Sequence, residues 1–355
     1  MNASPQRKEL IPFTRIENAY RLEKTWQPPG VEPWIPLPEY PDWRPLDEQL
    51  DPIAGVQKSR EGPVVNVLSD ECVQALRDFW NGSSATHFHC YPITAHASFK
   101  TWRKHADYFD KSNIWWCSSL KNAAAHYSWT PYLGGSFGQL AAALQSAIRS
   151  HSALFAAVVC LKILDWGGVR HRSRKTLHWI ISACRSGTLI RDLVDATSLL
   201  CPASAGALSV FGTPYPSYPM NSGSTKLFAA VALELSSGIA NPKQDVIIFD
   251  GRVGSGSALL ARKAMHPRTI PSKFRFPEGP EKKRRSGCPT CGVFQVIHRL
   301  SDADRAEYAR TASRCIQQVI GVYRPNAEFV SAEKALFMIG YDVANRCGKC
   351  SSSCP

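Results

Sequence analysis

The chain has 355 residues, 42 Lys and Arg against 29 Asp and Glu, a formal net charge of +13, and 44% hydrophobic residues. That length supports one large domain or two medium ones around a substantial core, and the hydrophobic content fits a soluble globular protein. The positive balance favours a polyanionic partner, because neutralising phosphates and releasing their counterions supplies most non-specific nucleic-acid affinity.

No membrane partner is expected. The most apolar run, Ser152 to Leu164, is interrupted by Lys162 and is too short to cross a bilayer. The stretch after Met1 is polar rather than signal-like, so a cytoplasmic location is expected, with the 12 cysteines mostly thiols or metal ligands.

Residues 1–60 hold ten of the 25 prolines, interleaved with Trp26, Trp34 and Trp43. Proline at this density forbids long helices and predicts an extended arm. A helical body is expected over residues 61–286. Ser69 can cap a first helix with Asp70 and Glu71 in its opening turn. The segment 85–135 is rich in His and aromatics; His87, His89 and Cys90 lack a recognisably spaced fourth metal ligand, so they read as core. Residues 139–165 predict one long helix whose apolar face includes His151, broken by Gly167 and Gly168. The basic cluster Arg170, Arg172, Arg174 and Lys175 then follows, suited either to DNA phosphates or to a solvated helix start. A short amphipathic helix is expected over 187–200.

Residues 218–262 carry the chemistry. Ser222-Gly223-Ser224-Thr225-Lys226 opens a helix apolar on nearly every side, so that helix must be buried, and Asp250 heads the next one. Two simpler readings stand beside a catalytic one: Asp250 as the N-cap of a helix starting at Gly251, and Lys226 as a surface lysine. A strand reading of Asp245 to Asp250 with a phosphate loop is a further alternative, but Thr225 precedes Lys226 where such a loop needs Gly-Lys-Ser/Thr. Arg252 and the run Gly254-Ser255-Gly256-Ser257 are candidates to hold a phosphate through backbone N–H groups.

Beyond Arg262, residues 271–286 read as an exposed basic loop. Ser301 with Asp304 starts a helix in the manner of a capping box, and Ser331 is expected to cap another that runs to about Arg346. A helical extension over 287–355 carries Cys288, Cys291, Cys347 and Cys350. These two Cys-x-x-Cys pairs have the spacing of zinc knuckles; reduced thiols in a loose tail are the other reading.

The stretch 218–262 resembles the helix-hairpin-helix superfamily of DNA glycosylases, most closely the 8-oxoguanine DNA glycosylase branch. Ser222 to Lys226 sits where that family has Gly-x-Gly-Thr-Lys, and Phe249-Asp250-Gly251-Arg252-Val253 where it has the catalytic aspartate motif; serines stand in place of both hairpin glycines. The resemblance implies a mainly α fold with a helix-hairpin-helix-like element and excision of a damaged or modified base by attack at C1′, which leaves an abasic site. Asp250 and Lys226 would be catalytic, and Arg170, Arg172, Arg174, Lys175, Ser222, Gly223, Ser224 and Arg252 would face DNA. Trp115, Trp116 and Trp129 are candidates to hold an extruded base. No cofactor is needed for that chemistry, a structural zinc aside, and a monomer is expected. The substrate would be a lesion in host DNA or a modified base of phage DNA, the latter in antiphage defence. A non-catalytic, zinc-stabilised DNA-binding protein is the alternative.

Overall fold

The computed structural model describes residues 67–82, 88–92, 114–127, 136–169, 173–212, 217–235, 245–265, 268–285, 291–321 and 326–344. The arm expected over residues 1–60 lies outside them. Among the described residues the chain is mainly helical, with ten α-helices and one two-stranded sheet. No helix among them is long and apolar enough to cross a membrane.

Helix α1 (Asp70–Asn81) starts where the sequence predicts, with the Ser69 hydroxyl accepting from Cys72 N–H. Strands β1 (His89–Pro92) and β2 (Ile114–Cys117) pair antiparallel, His89 opposite Cys117. His89 is buried and its Nε2 lies 2.8 Å from the Asp342 carbonyl, so it is a satisfied core histidine. Helix α2 (Leu120–Ala125) follows.

The single helix expected over 139–165 is two. Helix α3 (Phe137–Arg149) ends at Ser150, and α4 (Ala153–Trp166) begins after Ser152, whose hydroxyl accepts from Phe155 N–H. His151 joins them in the left-handed region, φ 51°, and is exposed rather than on the apolar face. Two serines able to cap outweigh a continuous apolar period here. Helices α5 (Arg174–Ser186) and α6 (Leu189–Leu200) complete this side.

Helix α7 (Ser224–Leu235) is the buried axis that its composition requires: Leu227, Phe228, Ala230 and Val231 are fully buried. It packs on α3 and α6, and Gln145 of α3 donates to its Val231 carbonyl. Helix α8 (Gly251–Met265) follows a segment over 245–250 that is neither helix nor strand. Helix α9 (Asp302–Ile320) is capped by Ser301, which accepts from Asp304 N–H; Asp304 returns to the Ser301 hydroxyl rather than to the backbone. Helix α10 (Asn326–Ile339) starts before Ser331, which lies inside it rather than at its cap.

One hydrophobic cluster runs from Leu68 to Tyr341 and takes in α9 and α10. The boundary expected near residue 287 therefore does not separate two cores. Nor is 271–286 simply an exposed loop. Phe276, Pro277, Glu278 and Gly279 are buried under α8, and the Arg262–Glu278 ion pair at 2.7 Å lies within that contact.

The glycines of α8 explain this closeness. A Cβ at Gly254 would lie 2.2 Å from the Pro277 carbonyl oxygen, and one at Gly256 2.3 Å from the Leu336 carbonyl oxygen. The Gly-Ser-Gly-Ser run thus serves backbone contact inside a helix, where its N–H groups are not turned to a phosphate.

Candidate active site

Asn221 builds the start of α7. Its Oδ1 accepts from Gly223 N–H at 2.8 Å, Ser224 N–H at 3.2 Å and the Thr176 hydroxyl at 3.0 Å. The Ser224 hydroxyl donates to the Asn221 carbonyl. The segment is held from the other side by Asp302, which accepts from Met220 N–H, and by Arg305, which donates to the Met220 carbonyl. The amides of Gly223 and Ser224, two residues expected to face DNA, are turned onto Asn221.

Lys226 follows directly and is 4% exposed. Its Nζ donates to the Ser222 carbonyl at 2.8 Å and lies 3.8 Å from Asp250 Oδ2. Asp250 has two tasks, one for each oxygen. Oδ1 caps α8 by accepting from Arg252 N–H at 2.8 Å and Val253 N–H at 3.1 Å, while Oδ2 faces the lysine. The capping role read from the sequence is correct, and it orients the second oxygen rather than replacing a site role. Lys226 is not a surface lysine.

The electrostatics follow from burial. Desolvation lowers the pKa of Lys226, against the opposing pull of Asp250. Burial by itself pushes the Asp250 carboxyl up, but the Lys226 ammonium, the Arg252 guanidinium and the two backbone N–H groups together hold it below the usual carboxylate range. The Arg252 guanidinium stands 4.3 Å over the Tyr341 ring and 4.7 Å over that of Phe337, which fixes it beside the carboxylate.

Lys226, Asp250 and Arg252 line a pocket with Tyr127, Trp166, Gly167, Ile248, Val253, Glu333 and Phe337. Glu333 is the second carboxyl in the pocket. Its Oε2 accepts from Ile248 N–H at 2.8 Å, and burial pushes its carboxyl up to about 7. Tyr127 and Phe337 meet edge to face at 5.5 Å. The pocket holds about 30 Å³ of free space.

Of the residues singled out from sequence, the structure brings together Lys226, Asp250 and Arg252. Arg174 and Lys175 are exposed at the start of α5, with Lys175 Nζ 4.0 Å from Asp302 Oδ1. Arg170 and Arg172 lie outside the described residues, as does Trp129. Trp115 is fully buried and stacked on Tyr91 at 4.8 Å, and neither it nor Trp116 lines the pocket. The pocket aromatics are instead Tyr127, Trp166 and Phe337. Sequence reading missed them and Glu333; the one available signal was the spacing of Glu333 and Phe337 by four, which puts both on one face of a helix.

Cys288, Cys347 and Cys350 lie outside the described residues. Cys291 is buried and disulfide-bonded, as is Cys90, whereas Cys72, Cys160, Cys184, Cys201 and Cys315 are free thiols.

The fold and site together define a mainly helical protein with a buried lysine–carboxylate pair at the mouths of two consecutive helices. No protein-family description, curated protein or solved structure matches the chain.

Proposed function

We propose that the chain is a DNA glycosylase that excises a damaged or modified base, with Asp250 and Lys226 as the reacting pair. The observation that carries this reading is the 3.8 Å approach of Lys226 Nζ to Asp250 Oδ2 in a pocket walled by three aromatic residues. Cleavage of an N-glycosidic bond develops positive charge on the sugar, which a nearby ionised carboxylate stabilises. Asp250, held ionised by its neighbours, supplies that charge. The Lys226 amine, with its pKa lowered by burial, attacks C1′ as the base departs with the bonding electron pair. The amine proton passes to Glu333, whose carboxyl is pushed up to about 7, while Asp250 stays ionised. Opening of the sugar ring then gives an imine between Lys226 and C1′, which water hydrolyses to an abasic site. Removal of a C2′ proton from the same imine by a carboxylate, with departure of the 3′ phosphate and formation of a C2′–C3′ double bond, would nick the strand.

The extruded base would stack against Phe337, Tyr127 or Trp166, with the Glu333 carboxyl in the same lining to meet its edge. At about 30 Å³ the pocket is smaller than the roughly 150 Å³ of a cavity that takes up benzene. Base entry therefore requires the aromatic walls to part. Positive charge at Arg174 and Lys175, and the overall excess of +13, would hold the phosphates.

The test is release of free base from duplexes carrying oxidised, alkylated or deaminated bases and from phage DNA rich in modified cytosine. The reading expects release of at least one base by the wild-type chain and none by Asp250→Asn. DNA binding without release on every substrate would leave a binding module instead.

A further inference from the structure

A second cavity, of about 80 Å³, lies between α1, α8, α9 and α10. Its walls include Leu76, Trp80, Leu260, Phe274, Ile316 and Leu336, and no charged side chain lines it among the described residues. The half-buried Leu76, Ala264, Met265 and Val319 form part of the lining, so the cavity reaches the surface on that side. Ser257 of α8 also lines it; the residue is 6% exposed, and its buried Oγ has no hydrogen-bond partner.

A helical serine commonly donates back to the carbonyl four residues earlier, as Ser255 does to Gly251 at 2.7 Å. Ser257 does not. A buried hydroxyl left unpaired costs on the order of 1–3 kcal/mol, a cost that a bound oxygen would remove. We propose that this cavity is a binding site for a small, neutral, mostly apolar molecule that carries one hydrogen-bonding oxygen, with Ser257 as its polar contact. A neutral ligand is favoured because no described lining residue would compensate a charge. Binding is non-covalent: the Cys315 thiol in the lining is pushed up to about 12 by burial and is not a nucleophile near neutral pH.

The site stands apart from the proposed base pocket yet shares its helices. Ala332 and Leu336 of α10 face the apolar cavity, while the adjacent Glu333 and Phe337 face the polar pocket. Its test needs no knowledge of the reaction.

Phenol and toluene are matched in size and differ by one hydroxyl. Both exceed the cavity of about 80 Å³ as it stands, so either enters by widening it at the half-buried Leu76, Ala264, Met265 and Val319. Each is titrated into the full chain while the methyl NMR signals of Leu76, Ile316 and Met265 are followed. We expect saturable shifts with both, and phenol binding roughly three- to tenfold tighter, the factor one buried hydrogen bond supplies. In Ser257→Ala, which removes an unpaired hydroxyl and keeps the fold, that advantage should vanish while toluene binds as before. In Ala264→Leu, which fills the cavity from a half-buried helical position, both should weaken at least tenfold. No saturable shift with either probe, equal affinities in the wild type, or a phenol advantage that survives Ser257→Ala would overturn the proposal.

Discussion

Gly167 gives Lys226 its path into the site: a Cβ on residue 167 would lie 2.5 Å from both Cδ and Cε of the lysine. Gly167 ends α4 and touches the pocket, so the helix that precedes the basic cluster sets where the amine can stand. Gly167→Ala should leave the far-UV circular dichroism unchanged and lower base release roughly tenfold to a hundredfold, as expected when a reacting group is displaced by about 1 Å. An unchanged rate would show that the amine's position is not set there.

Glu333 gives a pH signature. Its folded-state pKa is raised from 4.5 to about 7, so the folded chain holds this proton more tightly than the unfolded chain. The stabilising contribution is complete below about 4.5 and is lost as pH rises through about 7. Glu333→Gln keeps an acceptor for Ile248 N–H and does not ionise. Between pH 4.5 and 8 the wild type should lose on the order of 3 kcal/mol relative to that variant, read by urea denaturation. Parallel pH curves would contradict the burial argument.

The Lys226–Asp250 pair should couple in stability as well as in chemistry. Asp250→Asn leaves a buried ammonium facing a neutral amide, so it should cost more in the wild-type background than in Lys226→Met. A coupling of about 1–3 kcal/mol is expected at pH 7. Because the Asp250 pKa is depressed, its contribution is present above the unfolded value near 4 and disappears as pH falls through the lower folded value. A double-mutant cycle by urea denaturation at pH 7 and in acid measures both; additivity at pH 7 would refute the pairing.

Gly256 separates two opposed expectations. Helix propensity alone predicts that Gly256→Ala stabilises α8 by about 1 kcal/mol. The contact with the Leu336 carbonyl predicts the opposite sign, a loss of about 2–3 kcal/mol, because backbone cannot yield as a side chain can. Thermal denaturation decides between them by the direction in which Tm moves.

The parts of this site that were legible in the sequence are those in which one residue's neighbours along the chain dictate its place. Helix α7 is apolar on all faces, so it had to be buried, and Lys226 on its first turn went in with it. Asp250 before Gly251 is a cap by local rules, and it is one. The rest of the pocket depends on long-range packing. Tyr127 and Glu333 lie about a hundred residues from Lys226 on either side, and they meet it only because α10 packs against both α2 and α8. No local pattern records that contact.

The misread elements fail for a related reason. Gly254 and Gly256 look like a phosphate turn when only the chain itself is considered, and they become packing glycines once Pro277 and Leu336 are beside them. The apolar period over 139–165 continues through His151, and two capping serines interrupt it. Trp115 and Trp116 alternate on a strand whose buried face belongs to the core.

The claim that Lys226 attacks C1′ is tested most directly by borohydride trapping. The chain is incubated with a duplex carrying the released base's parent nucleotide, reduced with borohydride, digested and mapped by mass spectrometry. The account predicts a covalent adduct on Lys226, absent from Lys226→Ala and Asp250→Asn. Base release with no adduct, or an adduct that persists in Lys226→Ala, would contradict it.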